Sequence, residues 1–192
     1  MNETIYEQIS AIQKEIEYSR SKILELRSKL ELEPVSNYVL KDWEGKDVLL
    51  SSLFDERDEL MVIHNMGKRC AYCTLWADVF NGSVLPLNDR MPFVVISPDS
   101  PEVQKEFAQS RGWKFKMLSA HGSTFIKDLG FEPKPNSYWP GVSALIRKEE
   151  KIFRASYDFF GPGDFYCSPW HLFDLFPKKS NDWKPKFDYN NP

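Results

Sequence analysis

The sequence predicts an α/β domain with a long helix in front of it, and three observations carry that expectation. From Asn37 onward, apolar strand-like runs alternate with helix-like runs. Two of those runs, Leu60 to His64 and Pro92-Phe-Val-Val-Ile96, are nearly continuous in apolar residues, as strands buried on both faces are. The first 31 residues follow a different rule, with apolar positions at helical spacing and no Pro or Gly before Pro34. Three segments follow from these patterns: a helical extension over 1–34, an α/β domain over 35–178 and a tail over 179–192.

In the extension, Ile5, Ile9, Ile12, Ile16, Ser19, Ile23, Leu26 and Leu30 are separated alternately by four and three positions, which holds one narrow stripe on a single helix face. Such a stripe serves either as a coiled-coil seam pairing two chains, a homodimer through residues 5–30, or as the face by which the helix folds back onto its own domain. Ser19 places a polar group in the seam and Leu24 lies off it.

In the domain, Tyr38-Val-Leu40 and Val48-Leu-Leu50 read as a hairpin around Asp42-Trp-Glu-Gly-Lys46. Leu60 to His64 reads as a strand, Thr74 to about Leu85 as a helix, and Pro92 to Ile96 as the next strand, which makes a βαβ unit. Ser100 as N-cap, Pro101 at the first helical position and Gly112 as a stop enclose a second helix, with Val103 and Phe107 expected inward. After Phe115-Lys-Met-Leu118, Gly122 to Gly130 reads as a short helix. Val142 to Ile146 and Ile152 to Ala155 then form a terminal hairpin about the charged turn Lys148–Lys151. Ser168-Pro169 marks the start of a last short helix behind the Gly161-Pro-Gly163 loop. The order is hairpin, β, α, β, α, short helix, β, β, helix.

Composition narrows the function. At 192 residues and 42% hydrophobic content the chain can bury an ordinary core, which argues against bulk disorder. A formal charge of −3, with basic and acidic residues interleaved, leaves no footprint for nucleic acid. The opening Met1-Asn-Glu-Thr-Ile-Tyr-Glu lacks the cationic and apolar regions of a leader, and no apolar run reaches the roughly 20 residues that span a bilayer, so a cytoplasmic protein without membrane contact is expected. Three cysteines, at 70, 73 and 167, are too few for a disulfide framework.

Cys70-Ala-Tyr-Cys73 carries the chemistry. It joins the strand ending at His64 to the helix beginning near Thr74, and a thiol at a helix N-terminus meets free backbone N–H groups and the positive end of the macrodipole. Lys68 and Arg69 add positive charge beside it, so Cys70 is expected to be the more acidic thiol. Two intervening residues bring Cys73 beneath Cys70, a spacing suited to a reversible dithiol/disulfide couple.

A Cys-x-x-Cys at the start of the first helix of a βαβ pattern resembles the thioredoxin superfamily over roughly residues 37–176. More closely, the chain resembles the DUF899 group of bacterial thioredoxin-like proteins, through Cys70-x-x-Cys73-x-x-Trp76-x-Asp78-x-Phe80-Asn81-Gly82, Gly112-Trp113, Ser119-x-x-Gly122-Ser123-x-Phe125 and Pro140-Gly141-Val142-Ser143. The long N-terminal helix is typical of that group too. The resemblance implies a thioredoxin-like three-layer α/β/α sandwich with a mixed central sheet. It implies a thiol-disulfide oxidoreductase in which Cys70 is the nucleophile and Cys73 the resolving thiol, acting on a protein or small-molecule disulfide with no bound cofactor. In thioredoxins a buried acid stands six positions before the first cysteine, and a gapless count puts His64 there as a candidate general base for Cys73. A strand histidine hydrogen-bonded into the core is the other reading. The cis-proline opposite the dithiol corresponds to Pro140, although Gly141 follows it where Thr is usual, and Arg69 replaces the usual Trp before the first cysteine.

Competing readings are specific. Peroxiredoxin-like proteins share this fold, and a low-pKa thiolate oxidised by peroxide would give a sulfenic acid at one cysteine, resolved by the other. Their Pro-x-x-x-Thr-x-x-Cys pattern is absent, with Met66 and Cys70 in the Pro and Thr places. Cys70 and Cys73 with Cys167 and His171 are four ligands of the type structural zinc takes. A non-enzymatic scaffold with an idle dithiol is a third reading. Trp76 and Phe80 are expected in the core, Asp78 in a solvated or capping role, and the aromatics from Tyr157 to Phe176 against the sheet.

Overall fold

The computed structural model describes residues 4–178 and 183–190. Helix α1 (Ile5–Arg27) starts in a capping box: the Thr4 hydroxyl accepts from the Glu7 N–H, and the Glu7 carboxylate accepts from the Thr4 N–H. Over its 23 residues α1 buries no side chain, and Ile5, Ile9, Ile12, Ile16, Ile23 and Leu26 are 44–69% exposed. The stripe is therefore not folded back onto its own domain. The helix is tethered at its C-terminal end, where the Arg27 guanidinium donates to Asp158 at 2.7 Å and to the Tyr166 hydroxyl at 3.4 Å. Leu30, expected in the stripe, lies past the helix end.

Among the described residues one mixed sheet of eight strands forms the frame. The strands are β1 (Glu33–Val35), β2 (Val39–Lys41), β3 (Asp47–Leu49), β4 (Glu59–His64), β5 (Phe93–Ser97), β6 (Lys116–Ser119), β7 (Gly141–Lys148) and β8 (Lys151–Phe159). Their spatial order is β1-β8-β7-β4-β5-β6-β2-β3, with β4, β5 and β6 parallel and the remaining pairings antiparallel. The sheet begins at Glu33, so the expected boundary between extension and domain cuts through β1. Strand β6 is missing from the expected order, because Lys116 interrupts its apolar run and hides a strand buried at Met117, Leu118 and Ser119.

The helices are α2 (Ala71–Gly82), α3 (Val84–Arg90), α4 (Pro101–Arg111), α5 (Phe125–Asp128) and α6 (Ser168–Phe173). Helix α2 starts three residues before the expected Thr74 and stops at Gly82, the following helix holding Pro86 in its first turn. Helix α4 keeps its predicted punctuation, with Pro101 in the first turn and Gly112 left-handed at φ 67°. Its most buried side chains are Gln104 and Ala108, not Val103 and Phe107. The Gln104 amide donates to the Ser97 hydroxyl and the Leu118 carbonyl, which satisfies it in the core.

Alternation along the strands sorts the core into two layers. Ile63, Phe93, Val95 and Met117 pack with Trp76 and Ala77 of α2 and Ala108 of α4. Leu60, Val62, Val94, Ile96, Leu118 and Leu145 pack on the other face with Leu50, Leu53 and Phe54 of a 3-10 turn and Phe125 and Ile126 of α5. This is the thioredoxin-type α/β/α arrangement expected from the sequence. Asp78 is not a solvated cap: it pairs with Arg111 and accepts from Trp113 Nε1 at 2.7 Å, tying α2 to α4.

Of the expected tail, residues 179–182 and 191–192 lie outside the described residues. Trp183 packs edge-on against Phe173 with ring centres 4.9 Å apart, and the Phe187 carbonyl accepts from Arg111 at 2.6 Å. Phe160 and Trp170 are core aromatics, whereas Phe165 and Phe176 are exposed. No helix among the described residues is long and apolar enough to cross a membrane.

Candidate active site

Strand β4 ends at His64, and five residues lead from it to Cys70. That loop is held by side chains: Asn65 Oδ1 accepts from the Gly67 N–H at 2.8 Å, and Asp99, between β5 and α4, accepts from the Lys68 N–H at 2.7 Å. Gly67 has φ 98°, and a Cβ there would lie 2.7 Å from Asp99 Oδ1, so glycine is what lets the carboxylate close on the loop. No local motif in the sequence marks Asp99. Its signal was its place after a parallel strand, since loops at the C-terminal ends of neighbouring parallel strands converge.

Cys70 is the N-cap residue of α2, and its sulfur does the capping by accepting from the Cys73 N–H at 3.0 Å. The Cys70 carbonyl accepts from the Thr74 N–H and hydroxyl, each at 3.0 Å, which fixes the first turn. Cys70 is partly exposed and Cys73 is buried, and both are free thiols. Their acidities diverge accordingly. A hydrogen bond from the Cys73 side chain lowers the Cys70 pKa most, burial opposes it, and the Cys73 and Tyr72 backbone N–H groups add to the lowering. Burial pushes the Cys73 thiol well up, and its interaction with Cys70 pushes the same way. The expected cations Lys68 and Arg69 are exposed and are not among the causes. The same geometry thus lowers the pKa of one thiol and raises that of the other.

A narrow cleft beside the dithiol is bordered by Ile63, Cys73, Trp76, Ala77, Pro140 and Phe160. Pro140 borders the same cleft as Cys73; its peptide bond is trans, and no cis bond occurs among the described residues. The Trp76 and Trp170 indole N–H groups are buried without a hydrogen-bond partner. Tyr72, between the cysteines, stacks toward Trp170 with ring centres 6.1 Å apart.

His64 borders this cleft, yet its imidazole belongs to the other layer. It stacks on Phe131, with ring centres 3.6 Å apart, and on Phe125, and its Nε2 meets the Ser143 hydroxyl at 2.9 Å. Burial, with a smaller contribution from the Arg154 charge, pulls its pKa from 6.5 to about 3. The expectation of a base near neutral pH is corrected: successive side chains of β4 point to opposite faces, and Ile63, not His64, faces α2. What the sequence count located is a core histidine whose Nδ1 has no partner.

The residues of the zinc reading, Cys70, Cys73, Cys167 and His171, are not gathered into one cluster. His171 Nε2 meets the Asp164 carbonyl at 2.8 Å, and Cys167 is buried, its pKa raised to about 12 by burial and the nearby Asp164. Among the described residues no three or more His, Cys, Asp or Glu side chains gather where they could hold a metal ion.

Comparison with solved structures matches the fold to peroxiredoxins. The peroxidoxin BcpB of Mycobacterium tuberculosis is 21% identical, with a TM-score of 0.52 over 63% of this chain and 80% of that one. A peroxiredoxin-like protein of Aquifex aeolicus is 16% identical, with a TM-score of 0.55 over 68% and 76%. The bacterioferritin comigratory protein of Xanthomonas campestris is 15% identical, with a TM-score of 0.54 over 68% and 86%. At these identities the likeness shows the fold. No curated protein matches the chain. The profile described as "bacterial protein of unknown function (DUF899)" matches residues 6–189, nearly the whole chain, and the protein belongs to that family.

Proposed function

We propose that the protein is a thiol-disulfide oxidoreductase working through Cys70 and Cys73. The observation that carries the reading is the Cys70 sulfur capping α2, accepting the Cys73 N–H at 3.0 Å, with its pKa lowered while that of Cys73 is raised. The Cys70 thiolate attacks one sulfur of a substrate disulfide; that S–S bond breaks, and the other sulfur leaves as a thiolate that takes a proton. Cys73 then gives its proton to solvent and attacks Cys70 Sγ; the second substrate sulfur leaves as a thiolate that takes up a proton, and a Cys70–Cys73 disulfide remains. Two electrons have passed to the substrate, and an external dithiol returns them.

A thiol peroxidase is the second reading. It is favoured by the likeness to peroxiredoxins, among them the Xanthomonas protein studied for alkyl peroxide reduction. Here the Cys70 thiolate attacks the peroxide O–O bond, giving a sulfenic acid and an alcohol, and Cys73 condenses with the sulfenic acid to release water and form the same disulfide. The test is to supply a thiol reductant with either insulin or cumene hydroperoxide. Insulin reduction together with mixed disulfides trapped by Cys73→Ser, and not by Cys70→Ser, supports the first reading. Hydroperoxide consumption without insulin reduction favours the second, and inertness toward both leaves the dithiol idle.

A further inference from the structure

Helix α1 leaves the domain with an apolar stripe that nothing among the described residues covers. The stripe has the 3.5-residue repeat that follows another helix, narrower than the face a helix lays on a sheet. We infer that α1 pairs antiparallel with α1 of a second copy of this chain, as a two-helix coiled coil.

Register and charge set the orientation. With the helices antiparallel at greatest overlap, Ile9 faces Leu26 of the second copy, Ile12 faces Ile23, and Ile16 faces Ser19, each twice by symmetry, so seam positions from Ile9 to Leu26 all find partners. Along the flanks Glu15 falls opposite Lys22 of the second copy, again twice, and the remaining flanking pairs contain no two like charges. A parallel pair would bring Glu15 to Arg20 but would also set Lys22 against Arg27, and it would stack Ser19 on Ser19. Antiparallel pairing gains both acid-base contacts without that repulsion and covers each Ser19 with an isoleucine. The Arg27, Asp158 and Tyr166 contacts fix where α1 leaves the domain, so the two α/β domains sit at opposite ends of the pair, with their Arg27 positions about 28 Å apart along it.

Sedimentation of the full chain tests this, with thermal melting as the control for folding. The intact protein should run as a dimer. Ile16→Glu should run as a monomer that still folds, because that side chain is half exposed and α1 buries none of its side chains. Lys22→Glu should weaken the dimer roughly tenfold at low salt, and Glu15→Lys combined with Lys22→Glu should restore it. A monomeric or tetrameric intact chain, or a dimer indifferent to Ile16→Glu, overturns the pairing. Tightening of the dimer by Lys22→Glu overturns the antiparallel orientation, since only a parallel pair places Lys22 against a cation.

Discussion

On the α2 face of the sheet the buried Cys73 thiol lies beneath a partly exposed Cys70 and shares hydrogen bonds with it, while on the opposite face His64 is sealed between Phe131, Phe125 and the Ser143 hydroxyl. Both faces bury a titratable group, and burial moves each toward its neutral form: up for the thiol, down for the imidazole. The difference lies in access. The thiol has a partner that reaches solvent, whereas the imidazole has one neutral hydroxyl and a bare Nδ1. Titratability alone does not mark a reactive group, and the face on which a side chain emerges decides whether it can act.

The largest effect that would break this separation is on turnover. Cys70→Ser should reduce disulfide exchange roughly a thousandfold or more, while His64→Gln should leave it within about threefold. Limiting iodoacetamide with mass mapping should label Cys70 before Cys73 and Cys167 in the intact protein and in His64→Gln alike. A His64→Gln protein that folds normally but loses Cys70 reactivity would join the two faces into one site.

Acid stability comes next. The folded pKa of His64, about 3, lies below its unfolded value of 6.5, so between them the unfolded chain binds a proton that the folded chain does not. Stability is therefore fully present above about pH 6.5 and falls as pH drops toward 3, by roughly 5 kcal/mol from this group. His64→Gln, which can still meet Ser143, should flatten that part of the urea-midpoint profile. An unchanged slope would move the acid sensitivity to other groups.

Gly141 gives a smaller effect on the His64 side. A Cβ there would overlap the Asp158 carbonyl and lie 2.5 Å from Phe131 Cε1, displacing the ring that covers His64. Gly141→Ala should cost about 2–3 kcal/mol in denaturant unfolding and leave the alkylation order unchanged. On the α2 side, Asp78→Ala removes the Arg111 pair and the Trp113 bond, partly shielded from water, and should cost about 1–2 kcal/mol. A larger loss for Asp78→Ala than for Gly141→Ala would reverse the ranking of the faces.

Much of this was legible in the sequence because it is local. The cysteine spacing, the Pro101 and Gly112 punctuation and the apolar strands depend on neighbours a few positions away. The His64 assignment failed because a count along the chain carries no parity: one residue along a strand changes the face. Charge in sequence says nothing of its direction: Lys68 and Arg69 are not among the causes at Cys70, where backbone N–H groups and a neighbouring thiol do the lowering. Asp99 and β6 depend on contacts between separate strands, which no single window contains.

The outermost strands of the sheet have a consequence for how copies of the chain can meet. Strands β1 and β3 are each three residues long, and β1 contains Pro34, which has no N–H to offer. Blunt edges of this kind give an incoming strand few ladder partners, so open-ended growth by strand addition is discouraged. The proposed pairing through α1 would close at two chains and would use a part of the molecule remote from these edges, so specific assembly and aggregation would be separated.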